Sequence, residues 1–179
     1  GWFGFNAGSA GAANGTAGVL VVGKAGKLER FVLGATSPTI TAIPSGTTTV
    51  DFNGVCRVSD AEAYAVGTGG TIRSVHTGNA TSAGMTSGTT KNLLAVDCPS
   101  ASNAVACGAG GALLRLQAGT WTPISPAFPN SAVDLTTCKV VGNVLWVAGD
   151  GVFAKLDLGA TSPSWQMLAT QPRLSRLVV

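Results

Sequence analysis

The segment Val66-Gly67-Thr68-Gly69-Gly70-Thr71-Ile72-Arg73 joins two short apolar runs through a glycine-rich turn, and it decides the fold. A close copy follows at 107–115, and more divergent copies lie at 22–30 and 148–155. The first glycines of the four copies are separated by steps of 44, 41 and 41 residues. Self-similarity at a fixed period of this size is the sequence signature of a repeat architecture. The chain is therefore a tandem repeat in which each glycine turn marks one unit.

Two exact repetitions fix the register of these units. The segment 33–38 recurs letter for letter at 158–163, an offset of 125 residues that is close to three units. The segment 45–48 recurs at 87–90, an offset of 42 residues. Between the turns, each unit holds four short apolar and β-branched runs, the pattern of four short strands. Four strands in a unit of about 40 to 45 residues predict an all-β fold, a β-propeller built from four-stranded antiparallel blades.

About four blades are predicted. Their boundaries are 1–48, 49–91, 92–132 and 133–173, followed by a trailing strand at 174–179. Within the first blade, the Gly-, Ala-, Ser- and Asn-rich segment 6–15 predicts a long loop. Two versions of the architecture stay open: the trailing strand completes the first blade and closes a small ring, or the chain is part of a larger propeller.

Composition excludes several classes of function. Charged residues are only 11% of the chain, and the net charge of +3 is spread without a basic run, so no nucleic-acid partner is predicted. No apolar stretch approaches the roughly 20 residues of a membrane helix, so no membrane span is predicted. The four cysteines form no Cys-x-x-Cys pair, and His76 is the single histidine, so neither a metal nor another cofactor is predicted. Low charge and the cysteines favour an extracellular, cell-surface or periplasmic location.

The cysteines offer one plausible bond. Cys98 and Cys107 lie on consecutive predicted strands, nine residues apart, so antiparallel pairing could place them opposite one another as a disulfide. The alternative is that both are buried thiols that behave as small apolar residues. Cys56 and Cys138 are expected to be free and buried, because they fall on equivalent strands of the second and fourth units, where a direct bond would require a very narrow centre.

The third unit carries a resemblance to known families. Its segments 94–100, 107–111 and 119–122 read LAVDCPS, CGAGG and GTWT. They resemble repeats of exported bacterial propellers, including photosystem II assembly-factor propellers and the sialidase-like BNR superfamily. This resemblance implies the propeller fold and an exported protein. The sialidase Asp-box is not intact, since only Gly119-Thr120-Trp121 remains of it, and this departure puts glycosidase activity in doubt.

Cations at nearly equivalent third-strand positions are candidate binding residues. Arg73 and Arg115 follow their glycine turns at similar distances, as do Arg30 and Lys155. They could form a ring that binds an anionic partner. The alternative is that each long side chain covers the solvated side of its strand.

Trp121 and Asp97 complete the candidate binding set. Trp121 begins an outer strand and could stack on a sugar, or it could pack between blades. Asp97, like Asp51 and Asp134, lies near an innermost strand and could reach the axis for metal or acid–base work, whereas the latter two could simply begin their strands. No Gly-x-Ser-x-Gly motif is present, so no catalytic residue is predicted.

Three functions follow as hypotheses. The first is a non-catalytic binding or scaffold module for a protein or glycan ligand in adhesion or assembly, with its site in connecting loops such as 6–15 and 123–133. The second is a degenerate sialidase-like glycosidase. The third is a structural subunit that associates with copies of itself in a surface filament or complex.

Overall fold

The computed structural model describes residues 5–13, 16–33, 37–46, 49–59 and 61–170, and its strands form four antiparallel sheets. The first sheet contains β1 (Phe5–Ala13), β2 (Thr16–Gly23), β3 (Leu28–Leu33) and β4 (Pro38–Ala42). The second contains β5 (Phe52–Arg57), β6 (Glu62–Gly67), β7 (Ile72–His76) and β8 (Thr81–Met85). The third contains β9 (Leu93–Ser100), β10 (Asn103–Gly108), β11 (Leu113–Gln117) and β12 (Thr120–Pro123). The fourth contains β13 (Thr137–Val141), β14 (Val144–Gly149), β15 (Val152–Asp157) and β16 (Trp165–Thr170).

Each sheet is a meander of four strands in chain order. The first strands pack against each other in sequence, β1 on β5, β5 on β9 and β9 on β13, so these are the inner strands of four successive blades. The predicted all-β fold with four-stranded antiparallel blades is therefore confirmed.

The core lies between the blades rather than inside any one of them. Alternate residues of β10 pack against different neighbouring blades, because successive side chains of a strand point to opposite faces. Ala104 and Ala106 pack with the second blade, whereas Val105 and Cys107 pack with the fourth. The second and third blades therefore bury both of their faces against neighbours, and this explains why their strands are apolar along nearly their whole length.

The glycine turns connect the second and third strands of the second and third blades. After β6, the turn 68–70 is closed by hydrogen bonds from Gly67 N to Thr71 O and from Thr71 N to Thr68 O. Gly69 and Gly70 both have positive φ, at 63° and 72°, the left-handed region that favours glycine. The prediction that this motif is a hairpin turn is confirmed.

Each turn is also fastened to the following blade. Backbone N–H groups of Ala25, Gly69 and Gly110 donate to the side-chain oxygens of Asp51, Asn92 and Asp134 respectively, at 2.8–2.9 Å. These acceptors immediately precede or come shortly before the inner strands of the next blades. The same contact thus recurs at all three blade boundaries. Asp51 and Asp134 accordingly act in blade packing as residues that lead into an inner strand.

One predicted element is wrong. The segment 6–15 was expected to be a loop, but residues 6–13 belong to β1, which pairs with β2 from Phe5↔Gly23 to Ala13↔Thr16. Small residues have low intrinsic strand preference, so pairing with the apolar β2 decides their conformation. The trailing strand predicted at 174–179 lies outside the described residues.

Candidate functional site

The four candidate binding residues do not converge on one place. Arg73, on β7, shares a face with Val75, which packs with the first blade. Its Nε donates to Ser82 Oγ and its Nη2 to Ser82 O, both at 3.0 Å, and partial burial lowers the pKa of its guanidinium. Arg73 therefore belongs to the boundary between the first and second blades.

Arg115 lies on the opposite kind of face. It shares a face of β11 with Leu113, which packs with the fourth blade, and its Nε donates to Asn103 Oδ1 at 3.0 Å. The strand registers explain the difference from Arg73. Arg115 is two residues beyond Leu113, whereas Arg73 is one residue beyond the equivalent Ile72, and a one-residue step reverses the face. A single ring containing both cations is not formed by this geometry.

Trp121, on β12, is a packing residue. Its side chain is only 4% exposed and lies edge-to-face against Tyr64 of the second blade, with ring centroids 5.9 Å apart. Aromatic pairs in this arrangement stabilise an interface beyond their buried area. The face of the indole is consequently not open for stacking on a sugar.

Asp97, on β9, is buried and holds the fourth blade. Its Oδ1 accepts from Lys139 Nζ at 2.6 Å, and its Oδ2 accepts from Val140 N at 2.9 Å. Both donors lie on β13, the next inner strand. Because both carboxylate oxygens are engaged across the blade boundary, Asp97 forms an interblade ion pair.

The predicted Cys98–Cys107 bond is wrong. In the β9–β10 register, Cys107 lies opposite Ala95, three residues from Cys98, so the two sulfurs are not across from each other. Cys98 is instead bonded to Cys56 on β5, with a Cα–Cα distance of 5.7 Å. This disulfide joins the second blade to the third, and the expectation that Cys56 is free is also wrong. Cys138 is free and buried, as predicted.

The cysteine spacing misled the sequence argument because of register. Cys56 pairs with Tyr64, three residues before the turn glycine Gly67. The equivalent pairs in the next two blades are Val105 with Asp97 and Trp146 with Lys139. The structural counterparts of Cys56 are therefore Asp97 and Lys139. The disulfide and the ion pair therefore begin at equivalent inner-strand positions, Cys56 and Asp97, of successive blades.

A surface that the sequence argument did not identify as a site lies on the fourth blade, and its aromatic side chains are half-buried. The far side of this blade, which we call the blade-four face, carries Val144, Trp146, Phe153, Lys155 and Gln166. The side chains that alternate with these on β14 and β15 form the core shared with the third blade. On the blade-four face, the Trp146 and Phe153 rings are stacked at 5.6 Å and 23°, and Lys155 Nζ lies 5.4 Å from the Trp146 ring centroid.

A shallow cavity of about 330 Å³ adjoins the cation on this face. Lys155 and Asp157 line it together with the hydroxyls of Ser162 and Ser164. The surface thus combines an aromatic pair, a cation close to an aromatic ring, and hydrogen-bonding groups of both kinds. Groups of these kinds can bind a partner through complementary shape and charge.

The repeat itself shows what kind of surface this is. Trp146 is equivalent to Tyr64 and Val105, and Phe153 to Ile72 and Leu113, counted from the turn glycines. Tyr64 and Ile72 pack against the third blade, and Val105 and Leu113 against the fourth. The blade-four face therefore occupies the positions that receive a neighbouring blade elsewhere in this chain. Aligning Trp146 with Tyr64 in the repeat would have identified this face from the sequence.

Together, the meandering sheets and the interblade core define the class: the chain folds as a β-propeller of four-stranded blades. It is similar to the structure of YjhT, with a TM-score of 0.63 at 11% identity over 93% of this chain. It is also similar to YCF48 bound to D1 peptide, with a TM-score of 0.62 at 17% identity over 87% of this chain. At these identities the likeness shows the fold alone.

A third similar structure is the computationally designed Ika8 protein, with a TM-score of 0.55 at 10% identity over 90% of this chain. The chain spans 66% of the length of the YjhT chain, 50% of YCF48 and 60% of Ika8. No family model matches the chain, and no curated protein does. Among the described residues, no helix has the length and apolar character needed to cross a membrane.

Proposed function

We propose that the chain is a non-catalytic binding and scaffold module of an exported bacterial protein, and that it acts in assembly by binding a protein partner. The observation that carries this proposal is the use of the inner-strand carboxylates. Asp51, Asp97 and Asp134 each accept hydrogen bonds from another blade. These carboxylates stabilise the scaffold instead of facing a substrate.

Export is supported by the Cys56–Cys98 bond. Disulfides form and persist in oxidising compartments such as the periplasm and the extracellular space. The bond joins two blades that are otherwise held by non-covalent contacts, which suits a protein that works outside the reducing cytosol.

The binding surface we propose is the blade-four face, and its partner is a protein. Aromatic side chains and cations are enriched where proteins bind proteins. Trp146 is already stacked on Phe153, so a flat sheet surface or an extended peptide fits this face better than a sugar ring does. The YCF48 structure, which holds a D1 peptide, supports a peptide or protein as the ligand of such a fold.

The experiment is a peptide selection in parallel with a glycan array. The folded chain is immobilised and used to select from a phage-displayed random peptide library, and the same protein is applied to the array. We expect peptides whose binding is lost in Trp146→Ser but retained in Ile40→Ser, a matched control because Ile40 is a 57% exposed apolar residue of the first blade. Glycan binding that depends on Trp146, without peptide binding, would contradict the proposed partner.

A sialidase-like glycosidase is the competing enzyme hypothesis. The proposal expects no hydrolysis of a panel of aryl glycosides, sialosides included, by the intact chain. Asp97→Asn should lower the free energy of unfolding by about 1–3 kcal/mol, because it weakens the charged hydrogen bonds to Lys139 and Val140. Turnover by the intact chain that disappears in a folded Asp97→Asn variant would overturn the binding-module proposal.

A structural subunit is the second candidate function, and the position of the blade-four face favours it. If a second copy of the chain covers that face, native mass spectrometry will show dimers or longer assemblies whose share rises with concentration. Trp146→Ser should abolish them, and Ile40→Ser should not. A purely monomeric chain would contradict this second candidate, while the peptide selection tests the first independently.

A further inference from the structure

Two cysteines remain outside every role described so far. Cys107 lies on β10 of the third blade and Cys138 on β13 of the fourth, and their side chains are buried in the core that these blades share. Their residues are 0% and 4% exposed. Both are free thiols.

The two thiols face each other across the blade boundary. Cys107 Sγ lies 3.4 Å from Leu135 O, in the segment that leads into β13. Cys138 Sγ lies 3.6 Å from Val105 O on β10 and 3.9 Å from Ala95 O on β9, two adjacent strands of the third blade. Ala95 is the cross-strand partner of Cys107, and Val105 shares a face with it. Each thiol therefore lies against the backbone of the other cysteine's blade.

A metal site does not account for this pair. The described residues contain no group of three or more His, Cys, Asp or Glu side chains placed to hold an ion. A structural zinc site uses four such ligands, and here the groups around the thiols are backbone carbonyls and apolar side chains. Two buried thiols on facing strands, each against the backbone of the other's blade, are instead the arrangement from which a disulfide forms.

We propose that Cys107 and Cys138 form a second interblade disulfide, which ties the third blade to the fourth as Cys56–Cys98 ties the second to the third. The oxidant is a small-molecule or protein disulfide. One cysteine thiolate attacks it, forms a mixed disulfide and releases one thiolate of the oxidant. The second cysteine thiolate attacks the mixed disulfide, closes the Cys107–Cys138 bond and releases the other. The pair loses two electrons and two protons, and the oxidant becomes two thiols.

The bond forms before the boundary between the blades closes. Burial raises the pKa of the Cys107 thiol well above its ordinary value, and the neighbouring Cys138 raises it further. The thiolate is the reactive form, so the folded dithiol reacts slowly with an oxidant that must also enter the core. During folding the same thiols are exposed and ionise normally. Oxidative folding therefore gives both disulfides, whereas a chain that folds reduced keeps this pair reduced.

Tryptic mapping of the intact chain and two variants separates the possible bonds. Cleavage after lysine and arginine leaves Cys56 in peptide 31–57, Cys98 and Cys107 together in peptide 92–115, and Cys138 in peptide 116–139. The full chain is unfolded and reduced, then refolded in a mixture of reduced and oxidised glutathione. Remaining thiols are blocked with iodoacetamide in denaturant, and the digest is analysed without reduction.

The expected product is one species in which all three peptides are linked, with no alkylated cysteine. In a Cys56→Ser/Cys98→Ser variant, peptides 92–115 and 116–139 should remain linked, because Cys107 and Cys138 are then the only cysteines. In Cys107→Ser, Cys138 should be alkylated while peptide 31–57 stays linked to 92–115. The proposal is overturned if intact chain refolds with Cys56–Cys98 bonded but with Cys107 and Cys138 both alkylated. This result does not require any variant to fold.

Discussion

Tyr64 shows how a single residue reports on a blade boundary. It is the only tyrosine in the chain. Its hydroxyl donates to Ala101 O at 3.0 Å, and its ring meets Trp121, so both ends of the side chain contact the third blade. Burial raises the pKa of Tyr64, and the negative charge of Glu62 raises it further. The folded protein thus keeps the phenol neutral at a pH where the unfolded chain already ionises.

An alkaline titration of the near-ultraviolet phenolate absorbance tests this directly. The midpoint should lie above 10 in the folded protein and return to about 10 in urea. The unfolded chain loses its proton first, so the contribution to stability is fully present below pH 10 and is lost as pH rises towards the folded pKa. Glu62→Gln should lower the folded midpoint but leave it above 10, because burial is the larger cause. A folded midpoint at or below 10 would contradict the assignment.

At this scale the sequence predicted little of the site. Asp97 was predicted as a candidate binding residue because it lies near an inner strand, but the structure engages it with Lys139, 42 residues away. Trp121 was given a packing alternative, which the structure supports, yet its contact with Tyr64 depends on how two blades stack. For Cys98, a neighbour on the next strand was the natural choice, and the register placed Ala95 opposite Cys107 instead. Contacts between blades follow from registers that one sequence does not specify.

Among the elements, the glycine turn was the easiest to predict. Its close packing against neighbouring segments of the chain was the hardest. Four copies at one period identified a hairpin turn, because glycine readily adopts the positive φ that such a turn requires. The sequence could not show how closely other chain segments approach. A Cβ on Gly67 would lie 2.2 Å from Asp51 O, and one on Gly70 would lie 1.9 Å from Thr89 O. The turn therefore fits against the segments on both sides of it.

Two neighbouring glycines of this turn separate backbone strain from close approach. Gly69 and Gly70 both have positive φ, but a Cβ on Gly69 would meet no atom within 4 Å. We expect Gly69→Ala to lower the free energy of unfolding by about 1–2 kcal/mol, the cost of the left-handed conformation alone. Gly70→Ala should cost more than about 3 kcal/mol, since the Thr89 carbonyl must also move. Urea denaturation measures both, and equal losses would mean that the close approach is not constraining.

Strand prediction succeeded wherever the residues carried their own preference. The runs that became β5 to β7 are rich in apolar and β-branched residues, and they form the short strands predicted for this unit. The exception was β1, whose small residues indicate a loop in isolation. Its strand depends on pairing with β2, a tertiary effect that overrides local propensity. The predicted ring of cations also depended on tertiary structure. A one-residue offset between the strands placed Arg73 on the opposite face from Arg115.

For the whole molecule, the repeat period predicted the architecture but not the fastenings between blades. Equivalent positions at successive boundaries carry different chemistry: Cys56–Cys98 joins the second and third blades, and Asp97–Lys139 joins the third and fourth. Between the first and second blades, Arg57 donates to Gly18 O at 2.7 Å. The blades keep the same fold although these bonds differ, because the apolar alternation of the strands and the glycine turns are kept. Unlike the hydrogen bonds of the glycine turns, these bonds between inner strands do not repeat, so a period cannot reveal them.

The covalent fastening should dominate the stability of the stack. Cys56 and Cys98 are 42 residues apart, and closing a loop of this size removes unfolded-state entropy worth about 4 kcal/mol. The effect is best isolated in a Cys138→Ser background, where the second bond proposed above cannot form. There, a strong reductant should lower the free energy of unfolding by about 4 kcal/mol. In the matched variant that also carries Cys56→Ser and Cys98→Ser, the reductant should have no effect. Equal responses in the two proteins would show that this bond does not constrain the unfolded chain, and that the apolar boundary alone holds the second and third blades together.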